Sequence, residues 1–142
     1  METECIRILI VEDAPDNLTL IRDLFLGSYM DLWKLQNSFC DRKVIPFQIE
    51  HAESLSHALA QTDQTHYDIL LLDLNLPDSH GFDTFVKMHA HAPGIPIVVL
   101  TSLDDEFLAA KVLRNGAQDY LVKSETDTPV LLRAIFHAME RH

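Results

Sequence analysis

Residues 68–77 read DILLLDLNLP, a run of apolar residues from Ile69 to Leu72 that ends at a carboxylate, Asp73. A continuous apolar run of this length is typical of a strand covered on both faces, as in a parallel sheet. Four further strand-length runs lie at Ile6 to Val11, Phe47 to Glu50, Ile95 to Leu100 and Tyr120 to Val122. Stretches with helical periodicity separate them, so the sequence predicts an α/β fold.

The helical segments are recognised by apolar residues at a spacing of three and four. The first carries Leu18, Ile21, Leu24 and Phe25 on one face, with Asp16 or Asn17 as its predicted cap. The others are predicted at Ser54 to Ala60, Gly81 to His89, Asp104 to Asn115 and Thr128 to Arg141, the last capped by Thr128. Five alternating units use the whole length. We therefore expect one domain over residues 1–142, with its core between 6 and 141.

The stretch between Phe25 and Phe47 is, at about twenty residues, longer than an ordinary connection from a helix to a strand. Tyr29, Leu32 and Trp33 continue the helical stripe, whereas Pro46 stops it. We therefore expect an extended first helix. The alternative is an exposed aromatic patch that docks a partner.

The charge of the chain argues against two classes of binding partner. Its 22 acidic residues and 11 Lys and Arg give a formal net charge of −11, the wrong sign for binding nucleic acid or an anionic membrane. Cys5 and Cys40 are far apart and outside any Cys-x-x-Cys pattern, which fits reduced thiols. The N-terminus is acidic, unlike a secretory signal, and the apolar runs are too short to span a bilayer. We expect a cytoplasmic protein.

Polar side chains follow four of the five predicted strands: Glu12 and Asp13, then Asp73, then Thr101 with Ser102, then Lys123. The carboxyl ends of parallel strands share one edge of the sheet, and ligands bind in the crevice there. Crowded carboxylates repel one another unless they are protonated or bind a divalent cation. Mg²⁺ takes carboxylate oxygens and leaves positions for phosphoryl oxygens. The set favours phosphoryl chemistry with Asp73 as nucleophile.

Each of these residues alone has an ordinary structural explanation. A single Asp after a strand is most often a cap or turn residue, and a single Lys is most often solvated. The coincidence at corresponding ends of four strands is what favours a functional site.

The same residues resemble the response regulator receiver domains of two-component signalling. The motifs are ILIVED at 8–13, DILLLDLNLP at 68–77 with Gly81 beyond, VVLTS at 98–102 and GAQDYLVK at 116–123. The resemblance runs from Ile6 to about Arg141 and implies a flavodoxin-like, doubly wound five-stranded parallel sheet. Its strand order would be 2-1-3-4-5, with helices on both faces.

The resemblance also implies roles for the acidic residues. Asp73 would be the phosphoacceptor, receiving a phosphoryl group from a histidine kinase or phosphotransfer protein in a Mg²⁺-dependent reaction. Asp13 would bind Mg²⁺ directly, Glu12 through water and Asn75 through its backbone carbonyl.

Three further residues take roles from the same resemblance. Lys123 would pair with Asp73 and then with a phosphoryl oxygen, and Thr101 would hydrogen-bond the phosphate. Tyr120 stands at the aromatic switch position and would turn inward when Thr101 moves. On the residues alone, Tyr120 is equally well a core aromatic of the last strand.

Three features depart from the family pattern. Ser124 follows Lys123 where the family commonly has a proline in a cis peptide, and a non-proline cis bond costs about 2.5 to 4 kcal/mol. Glu12 stands in place of the commoner Asp. The stretch from Leu26 to Pro46 is additional, and the resemblance implies nothing about its role.

The leading hypothesis is a stand-alone receiver that alters its binding to another protein and is not an enzyme beyond its own phosphorylation and dephosphorylation. One alternative is a Mg²⁺-dependent hydrolase that forms and hydrolyses an aspartyl phosphate. Another is a phosphorylation-independent platform for interaction or dimerisation. A homodimer is left open in each case.

Overall fold

The computed structural model describes residues 6–26 and 47–141. Its elements are, in chain order, β1 (Ile6–Val11), α1 (residues 15–26), β2 (Phe47–Ala52), α2 (Leu55–Gln64), β3 (Ile69–Leu72), β4 (Asn75–Leu76), β5 (Ser79–His80), α3 (Phe82–His91), β6 (Ile97–Thr101), α4 (Glu106–Arg114), β7 (Asp119–Val122), a 3₁₀ turn (Lys123–Glu125) and α5 (Thr128–Arg141). The predicted extension of the first helix beyond residue 26, and both cysteines, lie outside the described residues.

Five strands form one parallel sheet in the order β2-β1-β3-β6-β7. This is the predicted order 2-1-3-4-5, with different strand numbers because the hairpin β4-β5 lies between the third and fourth long strands. All four residues of β3 are buried, since β3 lies in the middle of the sheet with helices on both faces. The apolar run that predicted this strand therefore has a direct structural cause.

The sheet separates two apolar cores. Alternation along β1 sends Ile6, Ile8 and Ile10 to the side covered by α1 and α5. It sends Leu9 and Val11 to the side covered by α2, α3 and α4. The predicted helices on both faces are confirmed. Within residues 6–26 and 47–141, none of the helices has the length and apolar character needed to cross a bilayer.

The helix α5 begins differently from the prediction. Thr128 is its first residue, and the cap is Asp127, whose Oδ1 accepts the N–H of Val130 at 3.0 Å. The Thr128 hydroxyl instead donates to the carbonyl of Leu24 at 2.8 Å. Thr128 therefore joins α5 to α1 across the same face of the sheet.

The predicted helix bounds also shift elsewhere. Helix α1 starts at residue 15, so Asp16 and Asn17 lie in its first turn and neither is the cap. Helix α2 runs to Gln64, beyond the predicted end at Ala60. Such shifts at helix ends are expected, because periodicity fixes the buried face of a helix more firmly than its ends.

Gly116 lies in the connection from α4 to β7 at a close approach to α3. Its φ is +119°, and a Cβ atom there would lie 2.9 Å from Nε2 of His89. The His89 ring cannot easily move away, because it stacks on Phe85 with ring centroids 5.2 Å apart. Both the backbone conformation and the available space at this position favour glycine.

We expect Gly116→Ala to lower the free energy of unfolding by about 1–3 kcal/mol because it adds backbone strain and a clash with His89. Gly94→Ala is the matched control, since a Cβ at Gly94 meets nothing within 4 Å. Its change should stay below about 1 kcal/mol. Urea unfolding of both variants checks this, and equal losses would contradict it.

Candidate functional site

Strands β1 and β3 bring two carboxylates together where they end. Val11 pairs with Leu72, so Glu12 and Asp73 follow directly on neighbouring strands. The N–H of Asp73 continues the ladder by donating to the carbonyl of Val11 at 3.1 Å. Each of Glu12, Asp13 and Asp73 offers a carboxylate oxygen, and these oxygens all lie within 4.8 Å of one another. The fold thus assembles the three acids that the sequence placed at the strand ends.

Lys123 lies between two of these acids. It follows β7 directly, and its Nζ donates to Oε1 of Glu12 and, at 3.1 Å, to Oδ2 of Asp73. All three residues are buried, with exposed fractions of 7% for Lys123, 1% for Glu12 and 4% for Asp73. Charges so buried require close partners of opposite sign. Lys123 meets that requirement for both carboxylates.

The charges of the site remain unbalanced. Three carboxylates against one ammonium leave a formal charge of −2. Burial raises the pKa of Glu12, and the hydrogen bond from Lys123 opposes that shift. Asp13 is exposed at the edge of the site. A carboxylate donor set with two excess negative charges fits a hard divalent cation such as Mg²⁺.

Thr101 and Tyr120 meet at the backbone of Leu103. Thr101 is the last residue of β6 and is fully buried; its hydroxyl accepts the N–H of Leu103 at 3.4 Å. The Tyr120 hydroxyl donates to the carbonyl of Leu103 at 2.6 Å. Burial, followed by the charges of Asp105 and Asp104, raises the pKa of Tyr120.

The contacts of Tyr120 bear on both interpretations of this residue from the sequence, as a core aromatic and as a switch residue. Its ring packs against one of the two cores, as expected for a core aromatic of the last strand. Its hydroxyl reaches the loop after β6, next to Thr101. Thr101 and Tyr120, the two residues of the predicted switch, thus hydrogen-bond to the N–H and the carbonyl of the same residue, Leu103.

Asn75 lies in the β4-β5 hairpin directly beyond the acidic cluster. Its N–H donates to Oδ1 of Asp73 at 3.2 Å. Its side-chain Oδ1 pairs with Nδ1 of His80 at 2.8 Å, across the hairpin. The side chain of Asn75 is thus engaged by His80. The hairpin is not predicted from the sequence, although Pro77 and Asp78 are typical turn residues.

His51 is a site neighbour that the sequence analysis did not single out. Its Nε2 donates to the carbonyl of Glu12 at 2.8 Å, and the N–H of Glu12 donates to the carbonyl of Ala52 at 3.0 Å. Oε2 of Glu12 accepts the N–H of Ala14 at 3.0 Å. The backbone and side chain of Glu12 are therefore both held. The register of β1 and β2 brings His51 next to Glu12. The residues around His51 in the sequence do not indicate this contact.

The segment after Lys123 forms a short 3₁₀ turn in place of the family's proline geometry. None of the described peptide bonds is cis, including the one before Ser124. The Thr126 hydroxyl closes the turn by donating to the carbonyl of Val122 at 2.8 Å. The segment that contains Ser124 thus forms a turn that is closed by the hydrogen bond of Thr126.

Comparison with known proteins identifies relatives over most of the chain. The profile of the response regulator receiver domain family matches residues 30–136. The match begins after Glu12 and Asp13, so their place in the site comes from the geometry above.

Two curated relatives are regulatory proteins of bacteria. A probable transcriptional regulatory protein, SilR of Salmonella typhimurium, is 31% identical over 129 residues, covering 89% of this chain and 48% of that protein. The transcriptional regulatory protein ZraR of Escherichia coli strain K12 is 27% identical over 123 residues, covering 87% of this chain and 24% of that protein. The chain thus spans about half of one relative and about a quarter of the other.

Solved structures show the same fold. The signal receiver domain of a putative LuxO repressor from Vibrio parahaemolyticus matches with a TM-score of 0.74 and 21% identity, over 96% of this chain and 91% of that one. A CheY-like receiver domain protein from Methanospirillum hungatei matches with a TM-score of 0.74 and 22% identity, over 97% and 96%. The predicted flavodoxin-like fold is confirmed.

We expect Lys123→Met to lower the free energy of unfolding by about 3 kcal/mol in metal-free buffer at neutral pH, because two buried carboxylates lose their partner. Lys87→Met is the matched control. It breaks an exposed pair with Asp83 of 3.0 Å and should change stability by less than about 1 kcal/mol. Urea unfolding gives both values, and a Lys123 loss no larger than that of Lys87 would contradict the expectation.

Proposed function

The chain belongs to the response regulator receiver domain family, and on that premise we propose that it is a signalling switch that accepts a phosphoryl group on Asp73. Receiver domains of transcriptional regulators are signalling modules and not classical enzymes. The observation that carries the proposal is the buried contact of Lys123 with Glu12 and Asp73 at the carboxyl edge of the sheet. This arrangement supports the assignment of Asp73 as nucleophile, of Lys123 as a fixed positive charge and of the clustered carboxylates as ligands of a cation.

The chemistry we propose at Asp73 is a phosphoryl transfer. A carboxylate oxygen of Asp73 attacks the phosphorus atom, a new O–P bond forms, and the bond from phosphorus to the donor breaks. The donor's leaving group keeps the bonding electron pair and takes up a proton from solvent. We propose that Lys123 stabilises the negative charge of the transferred group, which its 3.1 Å contact with Oδ2 of Asp73 supports.

We propose that Glu12, Asp13, Asp73 and the backbone carbonyl of Asn75 hold Mg²⁺, with Glu12 acting through water. The three clustered carboxylates and their excess negative charge support this assignment. When bound, Mg²⁺ supplies positive charge at the phosphoryl oxygens. Glu12 is kept in place for this role by its contacts with His51, Ala52, Ala14 and Lys123.

The proposed switch consists of the two hydrogen bonds that Thr101 and Tyr120 make to the backbone of Leu103. A phosphoryl group adds about −1.5 to −2 charge and new acceptor oxygens. If the Thr101 hydroxyl turns to such an oxygen, it releases the N–H of Leu103, whose carbonyl is bonded to Tyr120. Movement of Leu103 and Tyr120 then changes the surface formed by α4, β7 and α5.

We propose a histidine kinase or phosphotransfer protein as the donor and another protein as the downstream target. The net charge of −11 supports protein binding over direct contact with nucleic acid or a membrane. We further propose that residues 1–142 act as one receiver domain, with its core at 6–141, in the cytoplasm. The two relatives are about two to four times as long as this chain. The domain by itself therefore does not identify what a longer protein that contains it regulates.

Incubation with acetyl phosphate and Mg²⁺, followed by intact-mass measurement, tests the proposal. We expect one labile phosphoryl adduct on the native chain and on Asp83→Asn, an exposed-acid control. Asp73→Asn should show no adduct, and chelation of Mg²⁺ should abolish the adduct on the native chain.

An adduct that persists in Asp73→Asn would contradict the assignment of the acceptor. A native chain that forms no adduct would favour the phosphorylation-independent platform. Sustained hydrolysis of phosphate esters would favour the hydrolase.

A further inference from the structure

Asp78 fastens the β4-β5 hairpin to the start of α2. It lies in the hairpin turn, and its Oδ1 accepts the N–H of Leu55 at 2.9 Å. Its Oδ2 accepts the N–H of Ser56 at 3.0 Å. One carboxylate therefore joins two elements that lie more than twenty residues apart in the sequence.

The contact completes the capping of α2. The first N–H groups of a helix have no partner within the helix. Ser54 accepts the N–H of His57 at 3.1 Å through its hydroxyl, and Asp78 accepts the two N–H groups that precede it. The N–H groups of Ser56 and Leu55 lower the pKa of Asp78. Ser54 and Asp78 thus share one helix end, but only one of them belongs to the hairpin.

The hairpin needs such attachments because it is intrinsically weak. It has two paired positions, Asn75 with His80 and Leu76 with Ser79. Pro77 fixes φ near −65° at the first turn position, whereas the turns that suit hairpins have a positive φ there. A hairpin this short is not stable by itself in water. Its location is therefore set by what it contacts.

Further attachments of the hairpin lead to α3 and, through the buried Leu76, to the core on that face of the sheet. The N–H of Gly81 donates to the carbonyl of Leu74 at 2.6 Å, and the buried hydroxyls of Ser79 and Thr84 are 2.7 Å apart. Asp78 holds the opposite side, at α2. The hairpin is thus held by α2, by α3 and by the buried side chain of Leu76, with Asn75 at the end nearest to the acidic cluster, where its N–H contacts Asp73.

We propose that Asp78 is a positioning residue of the phosphoacceptor site. By anchoring the hairpin to α2, it holds the backbone of Asn75 in place for the cation and for Asp73. This role rests on the proposed function, because it acts through the Mg²⁺ site assigned there. Asp78 itself touches neither the cation nor the phosphoryl group.

The test compares Asp78→Ala with Ser54→Ala in the full chain. Both variants remove a cap from the same end of α2, and both should lower the melting temperature. Only Asp78→Ala removes an attachment of the hairpin, so we expect it alone to weaken Mg²⁺ binding, measured by calorimetry, by about tenfold, the lower end for groups that support metal ligands. Its phosphorylation by acetyl phosphate should need more Mg²⁺ but reach the native rate at saturation.

Asp78→Asn serves as a milder variant, because it keeps the size and one acceptor oxygen; its Mg²⁺ affinity should fall between native and Asp78→Ala. All titrations are made at a temperature where circular dichroism shows each variant folded. Equal Mg²⁺ affinities for Asp78→Ala and Ser54→Ala would overturn the proposal and leave Asp78 as a helix cap. A native chain that binds no Mg²⁺ would overturn the proposed function itself, and this proposal with it.

Discussion

The buried ammonium of Lys123 between Glu12 and Asp73 is the interaction on which the site depends. Its three members come from the ends of β7, β1 and β3, so the contact forms only when these strands lie in one parallel sheet with matched ends. Burial makes the charges costly unless they are paired, which ties the stability of this edge to the completed topology. Together with the exposed Asp13, these charges leave two excess negative charges where a divalent cation and a phosphoryl group would bind.

The sequence predicts both the sheet and the convergence of its polar residues, because both follow from buried parallel strands. Continuous apolar runs mark buried parallel strands, and polar residues directly after them must share one edge. It does not predict the β4-β5 hairpin, because strands of two residues show no periodicity. Nor does it reveal His51 or Asp78, since their partners, Glu12 and the start of α2, are set by strand register and tertiary packing.

The surroundings of the site divide into fixed and releasable contacts. His51 on β2 binds the carbonyl of Glu12, and Asp78 in the hairpin binds two N–H groups of α2; neither contact involves a group that would meet the phosphoryl oxygens. The Thr101 hydroxyl is different, because it holds Leu103 and is also the group assigned to the phosphate. Under the proposed function, charge added at Asp73 would be transmitted to Tyr120 through the Thr101 contact, while the residues that hold the cation would stay in place.

The most direct test of this account is the melting temperature in Mg²⁺ against KCl at equal ionic strength. A site with two excess negative charges should bind Mg²⁺ and gain about 2.7 kcal/mol of stability at a hundredfold excess over Kd. Asp13→Asn, which removes the exposed carboxylate and leaves the Lys123 contacts intact, should lose most of that gain. Equal melting temperatures of the native chain in the two salts would contradict the account.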